Sequence, residues 1–203
     1  MTTTTTPSAG RLRKATPQDL DPLVSALGAA FFTDPVMSWC YPDAGRRRII
    51  LPDVFRVITE AALPAGAVYT TDEIVGAAVW FPPDARTDED RMASNLVEAS
   101  REYADRMLAL LETTDGRHPP QPGHYYLSLL GTEPGWRSRG LGSSLMRPVL
   151  DGCDRDGTHA YLEASSERNL PLYLRHGFEV TERVALPDGP PFWCMWREPA
   201  AAT

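Results

Sequence analysis

A strand, a turn containing glycines and arginines, and a helix follow one another in residues 124–156, and this order constrains the fold more than any other feature. We read His124–Thr132 as the strand and residues 140–156 as the helix, and a second strand, His159–Ala164, follows directly. Two strands joined through a helix lie parallel in one sheet, because the crossover returns the chain to the end where the first strand began. The sequence therefore predicts a mixed α/β fold built around this unit.

The flanking segments carry signals for further helices and strands. A short strand is predicted near Leu12, and Thr16, Pro17 and Asp19 predict a helix start, as N-cap, first helical residue and capping-box partner. Beyond them we predict helices over 46–62, 88–111 and 170–176, a hairpin of strands 68–71 and 74–81, and final strands over 178–186 and 192–196. Residues 1–10 are predicted to be a disordered tail, and residues 11–203 a single domain.

The composition narrows the classes of function that the chain can serve. Its 203 residues carry a formal net charge of −7, which argues against broad binding to nucleic-acid phosphates and weakly favours cationic partners. Its cysteines and histidines are scattered without metal-ligand spacing, so we expect neither a disulfide framework nor a metal site. The N-terminal sequence has no signal-peptide pattern and no apolar run reaches membrane-spanning length, so we expect a cytoplasmic protein with no membrane partner.

The turn ahead of the predicted helix has the chemistry of a diphosphate-binding site. Gly140 and Gly142 open the helix and let the backbone approach phosphate oxygens without an intervening Cβ. The amides at a helix N-terminus point in one direction and favour anions. Arg137 and Arg139 add positive charge and planar groups of hydrogen-bond donors.

Two other nucleotide-binding patterns and one structural role compete with this interpretation. A P-loop is rejected, because Leu141 and Gly142 stand where its Lys-Ser/Thr pair is required. A dinucleotide-binding fingerprint stays a weak alternative, since Leu145 replaces its third glycine although Glu163 lies near the position of its ribose-binding acid. The structural role is an ordinary glycine turn, which the arginines and the strand–turn–helix order disfavour.

Two motifs, in order along the chain, resemble those of the GCN5-related N-acetyltransferase (GNAT) superfamily. Residues 137–142, RSRGLG, match its Q/R-x-x-G-x-G/A signature, and Tyr173, four residues before Gly177 and Phe178, matches its second motif. The resemblance implies an acetyl-CoA-dependent N-acetyltransferase with no metal. It also implies a single mixed, mostly antiparallel sheet, flanked by helices and splayed between its fourth and fifth strands, with the pantetheine arm of CoA in the gap.

The resemblance also implies roles for single residues. Backbone groups of Leu130, Gly131 and Thr132 would contact pantetheine and the thioester carbonyl. Asn169 would hold the pantetheine arm, and Tyr173 would stand beside the sulfur. Pyrophosphate binding would fall to the turn and the start of the helix: Arg137, Ser138, Arg139, Gly140, Leu141, Gly142 and Ser143.

Several of these residues also have structural alternatives. Asn169 could cap the short helix that follows it, and Tyr173 could be a core aromatic rather than the predicted general acid for the leaving thiolate. Glu163, an acid at the end of a buried strand, could accept local hydrogen bonds or serve as the general base. Asp34 and Tyr41, in an early loop, are the second choice for that base.

Three segments resemble puromycin N-acetyltransferases and their actinobacterial relatives: FFTDPVMSWCYPD, LEASSERNLPLYLRHGFEV and ALPDGPPFWCMWREP. This likeness implies a small amine as acetyl acceptor, such as an aminonucleoside or antibiotic, and a role in antibiotic resistance. We expect direct attack in a ternary complex, because no cysteine lies in a motif with a histidine base. The alternatives are a CoA-binding regulatory module without turnover and a protein or peptide amine acetyltransferase. A monomer or homodimer that binds no nucleic acid is expected.

Overall fold

The computed structural model describes residues 10–119 and 123–200, so the predicted tail lies outside the described residues except for Gly10. The described strands are β1 (Leu12–Lys14), β2 (Val68–Thr71), β3 (Gly76–Phe81), β4 (His124–Thr132), β5 (His159–Ala164), β6 (Phe178–Ala185) and β7 (Pro191–Arg197). They form one sheet in the order β1-β2-β3-β4-β5-β7-β6. Only the β4–β5 pair is parallel among these strands, which confirms the predicted mixed, mostly antiparallel sheet.

Helices cover both faces of this sheet. They are α1 (Leu20–Phe31), α2 (Pro35–Cys40), α3 (Ala44–Ala62), α4 (Glu89–Ala99), α5 (Ala104–Asp115), α6 (Leu141–Asp156) and α7 (Leu170–Leu174). Buried residues of α1, α3, α4 and α5 pack with one face of the strands, and those of α6 and α7 pack with the other. The two cores lie on opposite faces of the central strands.

The sheet opens between β4 and β5. Their pairing runs from His124 opposite His159 to Leu127 opposite Leu162 and stops there, although β4 continues to Thr132. On its other edge β4 stays paired with β3, where the register shifts because Val79 pairs with Leu129 and Trp80 with Leu127. This irregularity is a β-bulge, which increases the local twist. The carboxyl-terminal half of β4 therefore diverges from β5 and leaves a splay at the centre of the sheet.

The predicted start of the first helix is confirmed. The Thr16 hydroxyl and backbone amide both donate to the Asp19 carboxylate, at 2.9 and 2.8 Å, and the capping box leads through one 3-10 turn into α1. Arg13 on β1 also pairs with Asp19 at 2.7 Å. The cap therefore ties the first strand to the first helix.

One helix prediction needs correction. The single helix expected over residues 88–111 is wrong, because α4 ends at Ala99 and Arg101 takes a left-handed φ of 55° before α5 begins. The helix α3 continues past Pro52, and α6 continues past Pro148. The short helix α2 was not predicted.

Candidate functional site

Two cavities meet at the splay. We call them the apolar cavity, of about 200 Å³, and the glycine groove, of about 340 Å³. They share five lining residues, which form the common wall: Phe31, Asp34, Leu130, Asn169 and Tyr173. Because this wall borders both cavities, a molecule in one can react there with a molecule in the other.

The apolar cavity is built largely by the helices of one face. Its walls are aliphatic, aromatic and methionine side chains from α3, α4 and α5: Val54, Phe55, Ile58, Met92, Leu96, Met107, Leu110 and Leu111. Two carboxylates, Asp34 and Glu163, also line it, and no Lys, Arg or His does so among the described residues. The cavity thus suits an apolar body that carries positive charge.

The glycine groove has the opposite character. It runs from the end of β4 to the N-terminus of α6, where the first helical hydrogen bond joins the Ser144 amide to the Gly140 carbonyl at 3.1 Å. Amides ahead of that bond have no acceptor within the helix, so they can bind an anion. Gly140 has a left-handed φ of 76° and an added Cβ there would meet nothing within 4 Å, so this side of the turn is open. Arg137, Arg168 and Arg175 supply positive charge along it.

The two arginines of the predicted cradle have different surroundings. Arg137 lines the groove and donates from Nη2 to the Ala30 carbonyl at the end of α1, at 2.7 Å. Arg139 is exposed, lies over the Trp136 ring at 5.2 Å and is not among the groove-lining residues. Direct phosphate contact by Arg139 is therefore not supported by its placement. The other predicted residues of the turn line the groove: Ser138, Gly140, Leu141, Gly142 and Ser143.

The three predicted backbone contacts lie at the splayed end of β4. Leu130, Gly131 and Thr132 all line the groove. Gly131 also has a packing role, because a Cβ there would lie 2.8 Å from the Ala30 Cβ and 2.9 Å from Phe31 Cε2. The glycine lets α1 approach the strand and bring Phe31 to the common wall.

Glu163 faces the apolar cavity from the end of β5. Burial raises the pKa of its carboxyl to about 7, and hydrogen bonds from the hydroxyls of Tyr126 and Tyr161 oppose this rise. The side chain stays partly accessible, because it lines the cavity. The two roles that the sequence left open for Glu163 are therefore compatible. Its carboxylate accepts local hydrogen bonds, and its pKa suits a general base near neutral pH.

Tyr173 and Asn169 reach the common wall from the segment after β5. Tyr173 is 7% exposed and packs edge-on against Phe178, so it is also a core aromatic. Burial, and then the negative charge of Asp34, raise the pKa of its phenol, which therefore stays protonated at neutral pH. Asn169 is exposed and makes no side-chain capping bond to α7, so the structure does not support its capping alternative.

The two early-loop residues separate in the fold. Asp34 lies on the common wall, where its Oδ1 accepts the Met37 amide at 3.0 Å and its Oδ2 accepts the Ser165 hydroxyl. Tyr41 is fully buried in the core, where its hydroxyl bonds Ser100 at 2.8 Å, and it lines neither cavity. Asp34 therefore remains a candidate for chemistry at the junction, and Tyr41 does not.

Some groove and wall residues were missed by the sequence reasoning. Phe31 gave only a helical apolar signal, and nothing local shows that it reaches β4. Arg168 precedes the second motif and Arg175 lies within it, between Tyr173 and Gly177. Two basic residues at a motif expected to contact CoA were a signal that could have identified them.

The described part of the chain shows neither a metal-binding cluster nor a membrane-spanning helix. It holds no group of three or more His, Cys, Asp or Glu side chains placed to bind a metal ion. No helix in residues 10–119 or 123–200 is both long and apolar enough to cross a membrane.

Comparisons with known proteins agree with this geometry. Residues 35–178 match the family model described as "Acetyltransferase (GNAT) family". An uncharacterized N-acetyltransferase of Schizosaccharomyces pombe is 24% identical over 199 residues, which cover 90% of this chain and 81% of that protein.

Two solved structures are similar over almost their whole length. One is described as histone acetyltransferase HPA2 and related acetyltransferase, from Corynebacterium glutamicum; it is 30% identical with a TM-score of 0.67, covering 95% of this chain and 97% of that one. The other is arylalkylamine N-acetyltransferase 2 from Aedes aegypti, 12% identical with a TM-score of 0.63, covering 93% of this chain and 98% of that one. The second likeness bears on the fold alone.

Proposed function

This chain belongs to the GNAT acetyltransferase family, and we propose that it moves an acetyl group from acetyl-CoA to the amine of a small molecule by direct attack in a ternary complex. The observation that carries the proposal is the meeting of two cavities of opposite character at one wall. The basic glycine groove fits an anionic cosubstrate, and the acidic apolar cavity fits a cationic acceptor.

The groove offers groups that match each part of acetyl-CoA. The first-turn amides of α6, with Ser138, Ser143 and Arg137, suit the pyrophosphate. The splay leaves the end of β4 without a partner on the β5 side, so its backbone groups can bind the amide-bearing pantetheine arm. The Asn169 side chain is free of capping bonds and can join them.

Acetyl transfer needs a base for the acceptor's ammonium group, a donor to the developing oxyanion and an acid for the leaving thiolate. Residues at or near the common wall can fill these three roles. Bound acetyl-CoA supplies an activated thioester. Glu163, directly or through water, accepts a proton from the acceptor's ammonium group, and the freed nitrogen can attack the thioester carbonyl carbon. A backbone amide near Leu130 stabilises the charge that develops on the carbonyl oxygen. As the carbon–sulfur bond breaks, the nitrogen releases its remaining excess proton to solvent, while Tyr173 donates its phenolic proton to the thiolate and later recovers one from solvent.

The state of the cysteines supports direct attack over an acyl-enzyme. Cys40, Cys153 and Cys194 are all buried free thiols. Burial raises the pKa of Cys40 to about 12 and that of Cys153 to about 11, and it also raises the pKa of Cys194. Such thiols are protonated at neutral pH and are poor nucleophiles.

The acceptor that we propose is an aminonucleoside or antibiotic amine such as puromycin, which would make the protein a resistance enzyme. The aromatic and aliphatic walls of the apolar cavity support an acceptor with an apolar portion, and its two carboxylates support a cationic amine. A protein amine is the second candidate, since the relative at 30% identity is described as a histone acetyltransferase.

Acetyl-CoA consumption by the purified protein, measured as thiol release, tests this function. Puromycin, aminoglycosides, polyamines and short peptides serve as acceptors side by side, with an acceptor-free reaction as the control. Turnover of at least one small amine is expected. Turnover of peptides alone would favour the protein-amine candidate, and acetyl-CoA binding with no turnover in any reaction would favour a regulatory module.

A further inference from the structure

Asp34 links the segment before α2 to the end of β5, at the splay between β4 and β5. It lies between α1 and α2, and its two carboxylate oxygens accept different donors: the Met37 amide at 3.0 Å and the hydroxyl of Ser165, the residue after β5. These two bonds fix the carboxylate at the common wall of the apolar cavity and the glycine groove. Glu163, by contrast, lines the apolar cavity alone.

No basic side chain among the described residues pairs with this carboxylate, although Arg137, Arg168 and Arg175 line the glycine groove that it borders. Among the described residues, only Ser165 and the amides of Met37 and Val36 offset the burial that raises its pKa. The titratable groups that face it are other acids: Tyr173 on α7 and Cys40 on α2, whose pKa values its charge raises. An enclosed carboxylate without a cationic partner is costly, and a bound cation would remove that cost.

Helix capping alone does not require this arrangement. Asp43 and Asp88 cap α3 and α4 through the same kind of bond, to the amides of Arg46 at 2.7 Å and Arg91 at 3.0 Å, and both lie exposed at the surface. Asp34 is the capping aspartate that is enclosed between two cavities, so its position points to a second role.

We propose that Asp34, held in place by Ser165, is the anion that binds the acceptor's ammonium group at the junction of the two cavities, with the acceptor's apolar body in the apolar cavity. This deepens the proposed function and rests on it, because it names the group that places the amine beside the acetyl carbon. Glu163 then takes the proton while Asp34 keeps its charge and its hold on the nitrogen. The substrate class that fits is a protonated primary amine carried on an aryl or alkyl body.

Two probes of one shape separate charge recognition from apolar fit. Phenethylamine carries an ammonium group at neutral pH, whereas O-benzylhydroxylamine has the same length and ring but an uncharged amine. Binding of each is measured by isothermal titration calorimetry at pH 7, with and without saturating CoA. The wild-type protein is expected to bind phenethylamine at least tenfold more tightly, and equal affinity, or no phenethylamine binding, would overturn the proposal.

Two asparagine variants locate the effect. Asp34→Asn keeps a side-chain oxygen for the Met37 amide but removes the charge, and Asp43→Asn makes the same change at an exposed cap. Loss of the charge partner predicts roughly 30-fold or more weaker phenethylamine binding for Asp34→Asn. Little change is expected for O-benzylhydroxylamine, and no change for Asp43→Asn. A role in capping alone predicts that both variants bind both probes like the wild type, and that result would refute the proposal.

If Asp34→Asn fails to fold, Ser165→Ala takes its place, because it removes the hydroxyl that holds the Asp34 carboxylate; an unchanged preference for phenethylamine in that variant would refute the proposal. The readout is also independent of acetyl transfer. A protein that does not bind acetyl-CoA would refute the proposed function and leave phenethylamine binding measurable, so the two failures are distinguishable.

Discussion

Replacing Glu163 with glutamine tests the assignment of the general base. With a pKa of about 7, this carboxyl is about half ionised at pH 7, roughly a tenth at pH 6 and roughly nine tenths at pH 8. Because only the ionised form accepts a proton, kcat/KM of the wild-type enzyme should fall about fivefold between pH 7 and pH 6. Glu163→Gln should lower the rate by roughly 10²–10⁴-fold and remove this limb of the profile.

Initial rates of thiol release between pH 5.5 and 8.5, at constant ionic strength, give both profiles. The ionisation of the acceptor's own ammonium adds a limb at higher pH, which persists in the variant and does not obscure the one near pH 7. Glu179→Gln, at an exposed position on β6, is the matched control and should keep the wild-type profile. A Glu163→Gln enzyme within threefold of wild type, with the limb near pH 7 intact, would refute the assignment and leave Glu163 a structural role.

The same substitution has a consequence for stability. Below pH 4.5 the carboxyl is protonated in both the folded and the unfolded protein, so burial adds no penalty. As pH rises from there towards the folded pKa of about 7, ionisation favours unfolding, and the full penalty of roughly 3 kcal/mol is reached above it. Urea denaturation at pH 4.5 and pH 8 should therefore show Glu163→Gln gaining stability relative to wild type at the higher pH.

Further predictions concern the acid, the groove and the fold. Tyr173→Phe should keep acetyl-CoA binding but lower kcat by roughly 10²–10⁴-fold, and a rate within threefold of wild type would make Tyr173 a core aromatic only. Gly142→Val should weaken acetyl-CoA binding at least tenfold in calorimetry, because its added carbons would enter the groove. A Cβ at this position would already lie 3.3 Å from Leu172. Gly152→Val, in the same helix, is the control and should bind acetyl-CoA normally. Gly131→Ala should lower the free energy of unfolding by about 1–3 kcal/mol because its Cβ would clash with α1, and Gly135→Ala, with nothing within 4 Å, should be neutral by urea denaturation.

The parts of the fold that the sequence predicted well are those set by neighbouring residues. The capping box at Thr16 and Asp19, the strand His124–Thr132 and the helix after Gly140 all depend on side chains within a few positions of one another. The break near Arg101 could not be predicted in this way. No glycine or proline marks it, and the left-handed backbone at Arg101 depends on tertiary packing, in which the Ser100 hydroxyl meets the buried Tyr41.

The glycine groove could likewise be predicted from neighbouring residues, whereas the common wall could not. The groove follows from a local motif, and most of its predicted residues line it. The common wall combines Phe31 and Asp34 with Leu130 and Tyr173, which are about a hundred or more positions away in the chain. Only the splay of the sheet brings these residues together, so their joint role could not be derived from spacing.

Residues 30–34, which comprise the end of α1 and the residues before α2, are held across this splay from both sides. On the groove side Arg137 donates to the carbonyl of Ala30, and on the cavity side Ser165 donates to Asp34. A helix carbonyl end favours a cation, so the first bond also stabilises the C-terminus of α1. Because one short segment carries contacts to both cavities, a change that displaces it alters the environments of acetyl-CoA and acceptor together. Loss of the Arg137 contact should therefore raise the KM for the acceptor as well as that for acetyl-CoA, although Arg137 lines only the groove.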